Sequence, residues 1–162
     1  MSQVHLEAGP LGDVTRSILG DAAFLFCDDV PEGTEPMEGR LAEATIRFVA
    51  PTSGQLTLRL PWPVALEAAA NLLGTERDDP EAEEGALAAV GELLNMISGS
   101  ALSAWFGANT QWSLGVPSTS VREGALPSPS PRGEVVSFVV DEARIEIEAI
   151  EGGVGDDQGS DR

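Results

Sequence analysis

The chain has 162 residues and 42% hydrophobic content, which is enough for one folded domain with one sizeable core. Its formal net charge is -18 and its basic residues are all arginines, so it lacks the means to neutralise nucleic-acid phosphates or an anionic membrane surface. The chain starts without the basic and apolar stretches of a signal peptide, and no uninterrupted apolar segment reaches the roughly 20 residues of a spanning helix. Because Cys27 is the only cysteine, an internal disulfide is excluded. Cys27 and the distant His5 supply too few ligands for a zinc site. We therefore expect a cytoplasmic protein that binds neither nucleic acid nor membrane.

The first half of the sequence predicts a helix, a β-hairpin and a second helix. Apolar residues recur at helical spacing from Pro10 to about Phe24, and an acidic loop follows. From Leu41 the apolar residues alternate with polar ones, and a turn at residues 51–54 separates two strands. Prolines after this hairpin open a short alanine-rich helix that Gly74 ends.

The second half predicts a long helix followed by strands. Asp79 can cap this helix, and the helical pattern continues to Gly107. Beyond it we predict a strand at residues 112–116, a loop at residues 122–132 and a closing hairpin within residues 135–150. The closing strands would leave a sheet edge that another subunit could cover.

Together these elements predict a single α+β domain, residues 10–151, in which helices pack on an antiparallel-rich sheet. Residues 1–9 form an N-terminal segment outside this domain. Residues 152–162 form an acidic, glycine-rich tail without an apolar anchor, which we expect to be disordered.

The long helix carries one isolated pair of polar side chains. Glu92 is the only charged residue between Gly85 and Gly107, and Asn95 lies one turn after it. At about 100° per residue, the pair projects from the side opposite to an apolar stripe, which consists of Leu87, Val90, Leu94, Ile97, Ala101 and Trp105. The residues around the pair are small enough to let another molecule approach closely, namely Ala88, Gly91, Gly99 and Ser103. Periodicity alone leaves two interpretations, a docking surface or merely the solvated face of a core helix.

Two stretches of sequence carry a family resemblance. The run GELLNMISGSA, residues 91–101, resembles the ExxN helix of the CheX/CheC/FliY family of chemotaxis phosphatases, which dephosphorylate the response regulator CheY. The run WSLGVP, residues 112–117, resembles the strand and proline that follow this helix in CheX-like domains. The resemblance extends from Pro10 to Glu151 and implies a CheC/CheX-like fold in which one long helix carries the ExxN motif.

The resemblance implies hydrolysis of the aspartyl phosphate on a phosphorylated CheY-like receiver domain. Asn95 would orient the attacking water, and Glu92 would contact the receiver's lysine. A neutral carboxamide suits the first role, because it can hold a water without repelling an anionic phosphoryl group. No cofactor of the chain's own is implied, since the receiver domain supplies Mg²⁺. Partner contacts are expected from the residues around the pair, namely Ala88, Gly91, Met96 and Gly99.

One position favours a second interpretation. Family members often have Asp or Ser four residues before the glutamate, where this chain has Ala88. The alternative is therefore a catalytically weak or inactive adaptor that binds receiver domains in two-component signalling. The single ExxN motif resembles the CheX-like members, which are homodimers, so we also expect a homodimer.

Overall fold

The structure, a computed structural model, describes residues 6–124 and 133–152. Within them the helices are α1 (Ala8–Ala23), α2 (Trp62–Leu73) and α3 (Pro80–Phe106). The strands are β1 (Arg40–Val49), β2 (Ser53–Pro61), β3 (Ser113–Leu114), β4 (Ser118–Glu123), β5 (Gly133–Val140) and β6 (Ala143–Glu151). This confirms the predicted α+β class. Residues 1–5 of the predicted N-terminal segment and 153–162 of the predicted tail lie outside the described residues. The domain starts before the predicted Pro10, because α1 begins at Ala8 and Leu6 is buried in the core.

The strands form one antiparallel sheet in the order β3-β1-β2-β6-β5, and β4 also pairs with β1. A tight turn at Asp141 and Glu142 joins β5 to β6, and both residues have positive φ, as the preferred two-residue hairpin turn requires. Strand β6 is paired on both sides, with β2 and β5. The closing strands do leave a sheet edge, but β5 forms it, and the expectation that the strand at residues 144–148 lies at an edge is wrong.

The three helices pack on one face of the sheet and enclose the core. Alternate side chains of the central strands point towards them because successive residues of a strand face opposite sides. The fully or almost fully buried ones are Ala42, Ala44, Ile46, Phe48, Leu56, Leu58, Leu60, Ile145, Ile147 and Ala149.

Helix α3 runs through the middle of the helical layer and contacts α1, α2, β1 and β4. Its start is fixed as predicted, because the Asp79 carboxylate accepts a hydrogen bond of 2.8 Å from the backbone N–H of Glu81. Although Glu92 interrupts its apolar run, the helix is long and apolar enough by composition to cross a membrane. More than half of the qualifying stretch, 56%, is buried against the rest of the domain, which is the behaviour of a core helix.

The region after α3 differs most from the prediction. Only Ser113 and Leu114 of the predicted strand at residues 112–116 are in β3, and the side chain of Val116 is 88% exposed. Strand β4 overlaps the start of the predicted loop, and residues 125–132 of that loop lie outside the described residues. The sequence of β4 is polar without apolar alternation, so only its pairing with β1 makes it a strand.

The face of the sheet opposite the helices carries a network of charged side chains centred on Arg59. Its guanidinium lies 2.7 Å from the carboxylate of Glu43, 2.7 Å from that of Glu146 and 3.1 Å from that of Glu148. Burial alone would lower the pKa of Arg59, but the hydrogen bonds and charges of Glu43 and Glu148 raise it above its ordinary value. The network therefore joins β1, β2 and β6 through one permanently charged side chain.

Candidate functional site

The Glu92 and Asn95 side chains are both exposed on the outer surface of α3. The helix beneath them is held firmly, since Leu93 and Leu94 are completely buried. The predicted stripe is confirmed on the other side, where Val90, Leu94, Ile97 and Ala101 are buried and Leu87 and Trp105 are half-buried. The pair is therefore presented to solvent from a rigid element one turn apart.

The pair lines an open groove of about 400 Å³ between α3 and the chain that follows β3. The far wall is positioned by a hydrogen bond of 2.8 Å from the backbone N–H of Gly115 to the carbonyl oxygen of Arg47. This bond attaches the far wall to β1 of the sheet. The lining residues are Ala88, Gly91, Glu92, Asn95, Gly115, Val116, Pro117 and Thr119.

Gly91 does not face outward as predicted. It is buried, and a Cβ added there would lie 3.2 Å from Cγ2 of Thr119 and 3.6 Å from Cβ of Pro117. The missing side chain of Gly91 therefore lets α3 approach the far wall of the groove closely. Gly91 shapes the floor of the groove instead of forming part of an exposed docking surface.

The other predicted partner-binding residues are more accessible. Ala88 is exposed, whereas Met96 is half-buried. A Cβ added at Gly99 would have no atom within 4 Å, so the helix is open to a docking molecule at that position.

Sequence reasoning did not assign Val116, Pro117 or Thr119 to the site. The apolar alternation of residues 112–116 indicated a strand and so an inward side chain for Val116. The available signal was the pair Gly115 and Pro117, because glycine and proline on either side of a residue favour a bend over a continuing strand.

Within residues 6–124 and 133–152, no hydrogen bond or ion pair occupies the side chains of Glu92 and Asn95. Both are therefore available to an incoming molecule. The same described residues contain no group of three or more His, Cys, Asp or Glu side chains that could hold a metal ion. The site thus offers one carboxylate, one carboxamide and an apolar neighbour, Val116.

The fold is that of the chemotaxis proteins CheX and CheC. CheX from Desulfovibrio desulfuricans is 18% identical with a TM-score of 0.70, and the match covers 90% of this chain and 98% of that one. CheX from Vibrio vulnificus is 19% identical with a TM-score of 0.69, over 93% of this chain and 100% of that one. The CheX–CheY–beryllofluoride–Mg²⁺ complex from Borrelia burgdorferi matches at 18% identity and a TM-score of 0.70, over 93% and 100%.

The sequence places the chain more narrowly. The family model of the chemotaxis phosphatase CheX matches residues 43–138, more than half of the chain, and the chain belongs to this family. The matched range contains Glu92, Asn95 and the whole groove. No curated protein sequence matches the chain.

Proposed function

We propose that this protein hydrolyses the aspartyl phosphate of a phosphorylated CheY-like receiver domain. Membership of the CheX family supports this class of reaction. The observation that carries the proposal is the geometry of Glu92 and Asn95, which are exposed, unoccupied within the described residues and one turn apart on a helix with a buried back. The Borrelia burgdorferi relative, whose structure is a complex with CheY, adds support for a receiver domain as partner.

The reaction requires a water molecule placed in line with the bond to be broken. Water attacks the phosphorus, the bond from phosphorus to the aspartyl oxygen breaks, and the products are inorganic phosphate and a free carboxylate. The amide oxygen of Asn95 can accept a hydrogen bond from this water and the amide nitrogen can donate one to it or to the phosphoryl group. Since the amide is neutral, it holds the water without repelling the anionic phosphoryl oxygens.

Glu92 has a different part in the proposal. Its carboxylate would pair with the receiver's lysine in a charge-assisted hydrogen bond, which fixes the orientation of the receiver relative to Asn95. Because the two residues are one turn apart on a rigid helix, fixing one of them also fixes the other. Positioning of this kind contributes up to about 7–11 kcal/mol in ideal intramolecular cases, and a single amide acting from a second protein supplies a fraction of that.

The metal in this proposal belongs to the substrate. At the groove the chain offers only one carboxylate, Glu92, and one carboxamide, Asn95, and the described residues contain no group of three or more His, Cys, Asp or Glu that could hold a metal ion. Mg²⁺ bound to the receiver would neutralise charge on the phosphoryl group. The chain's own task is to dock and to place water, and a cytoplasmic location matches such a substrate.

The experiment is phosphate release from a phosphorylated receiver domain of the same genome. We expect Asn95→Ala to abolish the acceleration, because it removes the water-positioning amide, while the melting temperature stays within about 2 °C of the wild type since an exposed side chain is lost. Asn109→Ala is the matched control, because Asn109 is also an exposed asparagine but lies beyond the end of α3 and outside the groove. A folded Asn95→Ala protein with wild-type phosphate release would refute the assignment.

Glu92→Ala separates docking from chemistry. We expect a loss of activity that appears mainly as weaker affinity for the receiver, because the proposed partner of Glu92 is a charge on the docking surface. Affinity is measured by titration with a receiver that carries beryllofluoride. If the loss appeared only in the rate at saturating receiver, Glu92 would act in the chemical step and not in docking.

The adaptor alternative rests on Ala88, which places a methyl group beside Glu92 where relatives often carry a polar side chain. An adaptor would bind the beryllofluoride-loaded receiver but leave its dephosphorylation rate unchanged. Ala88→Asp would then be expected to raise the rate. Equal rates with and without the wild-type protein, together with binding, would establish the adaptor.

A further inference from the structure

A second exposed patch lies where α1 and α2 end. The chain after α1 alternates, so that Phe24, Phe26 and Asp28 are exposed while Leu25 and Cys27 are buried. The exposed fractions are 60% for Phe24 and 69% for Phe26, which is unusual for aromatic side chains of a soluble domain.

Helix α2 adds one more apolar side chain to this patch. The amide nitrogen of Asn71 donates a hydrogen bond of 2.6 Å to the carbonyl oxygen of Ala23, which joins the ends of the two helices. Leu72 directly follows Asn71 and is exposed, whereas the side chain of Leu73 lies beside Gly85 of α3. We call Phe24, Phe26 and Leu72 the Phe24 patch.

The fold gives no reason for an aromatic residue at position 24. Phe24 has a φ of +55° at the end of α1, where its N–H bonds to the carbonyl oxygen of Gly20 and the N–H of Leu25 bonds to that of Leu19. This is the helix-ending position that glycine favours, because a side chain is strained there. A strained and exposed phenylalanine does not stabilise the domain, so its role is to be sought in binding.

Several carboxylates lie on the segments that carry the patch or that pair with them. Asp21 on α1 and Asp28 after it are exposed, and Asp28 pairs through its backbone with Val139, two residues before Asp141. Burial raises the pKa of Glu67, which lies one turn before Asn71, and the nearby Asp141 carboxylate raises it further. Arg77, 3.7 Å from Glu67, acts to lower this pKa. The charged side chains beside the apolar patch are therefore mainly carboxylates, of which Asp29 pairs with Arg16 and Glu67 with Arg77.

We infer that the Phe24 patch binds a basic amphipathic segment of a partner protein. Apolar side chains of that segment would pack on the two phenylalanines, and its lysines or arginines would face the neighbouring carboxylates. A second copy bound symmetrically through the same patch fits poorly, because the exposed Asp21 and Asp28 carboxylates of the two copies would then face each other. The chain's own last residues also fit poorly, since they include Asp156, Asp157 and Asp161.

This surface is separate from the groove on α3. The groove borders β3 and β4 at one edge of the sheet, whereas the segment carrying Phe26 pairs with β5 at the other edge. A receiver domain in the groove and a basic segment on the Phe24 patch could therefore be bound at the same time, and the inference does not depend on phosphatase activity.

The test is a fluorescence anisotropy titration with a labelled helical peptide of leucine and lysine, beside a second peptide with glutamate in place of lysine. We expect the lysine peptide alone to bind, with an affinity that falls as salt is raised. Phe26→Ser should weaken this binding about tenfold or more, as expected for an aromatic anchor. Val49→Ser is the matched control, because Val49 is 62% exposed elsewhere on the surface, and it should bind like the wild type.

Phe24→Gly tests whether weaker binding results from the lost side chain or from a loss of structure. It removes the strain at the end of α1, so the variant should melt no lower than the wild type and still bind the lysine peptide more weakly. Equal binding by wild type, Phe26→Ser and Val49→Ser would overturn the inference, because the peptide would then be attracted only by the net charge of the protein. Self-association of the wild type that Phe26→Ser abolishes would also overturn it, since the occupant would then be a second copy.

Discussion

Gly99 leaves open space one turn after Asn95, because an added Cβ there would meet no atom within 4 Å. We expect Gly99→Arg to weaken binding of a beryllofluoride-loaded receiver at least about tenfold by holding it away from Asn95. The same change should raise helix stability by up to about 1 kcal/mol, since arginine is a better helix former than glycine. Titration and thermal melting measure the two effects.

Gly9→Arg is the control for this experiment. Gly9 lies in α1 and is equally open to an added side chain, but it lies away from the groove. This variant should bind the receiver like the wild type. Undiminished receiver affinity in Gly99→Arg would place the docking surface elsewhere on the molecule.

The thiol of Cys27 should be unreactive in the folded protein. Burial raises its pKa to about 11, while nearby Arg16 acts to lower the pKa and Asp28 to raise it. The folded state therefore favours the neutral thiol. The resulting contribution to the free energy of unfolding is complete below the pKa of the thiol in the unfolded chain and is lost as pH rises through about 11. At pH 8 we expect iodoacetamide to react about a hundredfold more slowly with the native protein than with the urea-unfolded one. Equal rates would show that the segment around Cys27 opens readily.

The residues of the site differ in how far the sequence could reveal them. Glu92 and Asn95 could be predicted because polar side chains in an apolar helix must face solvent. Gly91 was misplaced, since the sequence does not show that Pro117 and Thr119 fold over it. Val116 was missed because alternation with Leu114 indicated a strand that ends two residues earlier.

Among the secondary-structure elements, β1, β2 and β6 depend on the charge network of Arg59. Arg59→Met should lower the free energy of unfolding by about 3 kcal/mol, because it removes the cation that lies between the Glu43, Glu146 and Glu148 carboxylates, while Arg122, 3.7 Å from Glu43, remains. Urea denaturation measures the change.

Arg47→Met provides the comparison for this network. Arg47 lies on β1 and is exposed, so its removal should change stability by less than about 0.5 kcal/mol. A similar loss in both variants would mean that the network stabilises the sheet no more than any surface arginine does.

Elements with strong local signals were the ones that the sequence predicted well. Helix α3 has a cap, a proline at its first position and an apolar stripe, and the β5–β6 hairpin has alternation on both sides of a two-residue turn. Strand β4 has no such signal, because it is polar and owes its conformation to β1. The position of β6 between β2 and β5 also follows from pairing between distant parts of the chain, which periodicity does not encode.

At the scale of the whole molecule, the two edges of the sheet have different surroundings. The edge formed by β3 and β4 borders the groove with Glu92 and Asn95, so a subunit bound there would compete with a receiver. At the other edge, the backbone of Asp28 bonds to Val139 in both directions and occupies one end of β5. Backbone groups point alternately to the two sides of an antiparallel strand, so the N–H groups of Val135 and Ser137 face the same open side.

We therefore predict a homodimer in which two β5 strands pair edge to edge and both grooves remain accessible. Light scattering should give twice the 16.9 kDa of one chain. Ser137→Pro should give a monomer that is still folded, because proline removes an N–H directed away from β6 and is tolerated on an edge strand. Phosphate release per chain should stay unchanged in this variant, since Asn95 and Glu92 lie near the other edge of the sheet, which β3 and β4 form. A wild-type mass of one chain would rule out the dimer, and a Ser137→Pro protein that remains dimeric would place the interface away from β5.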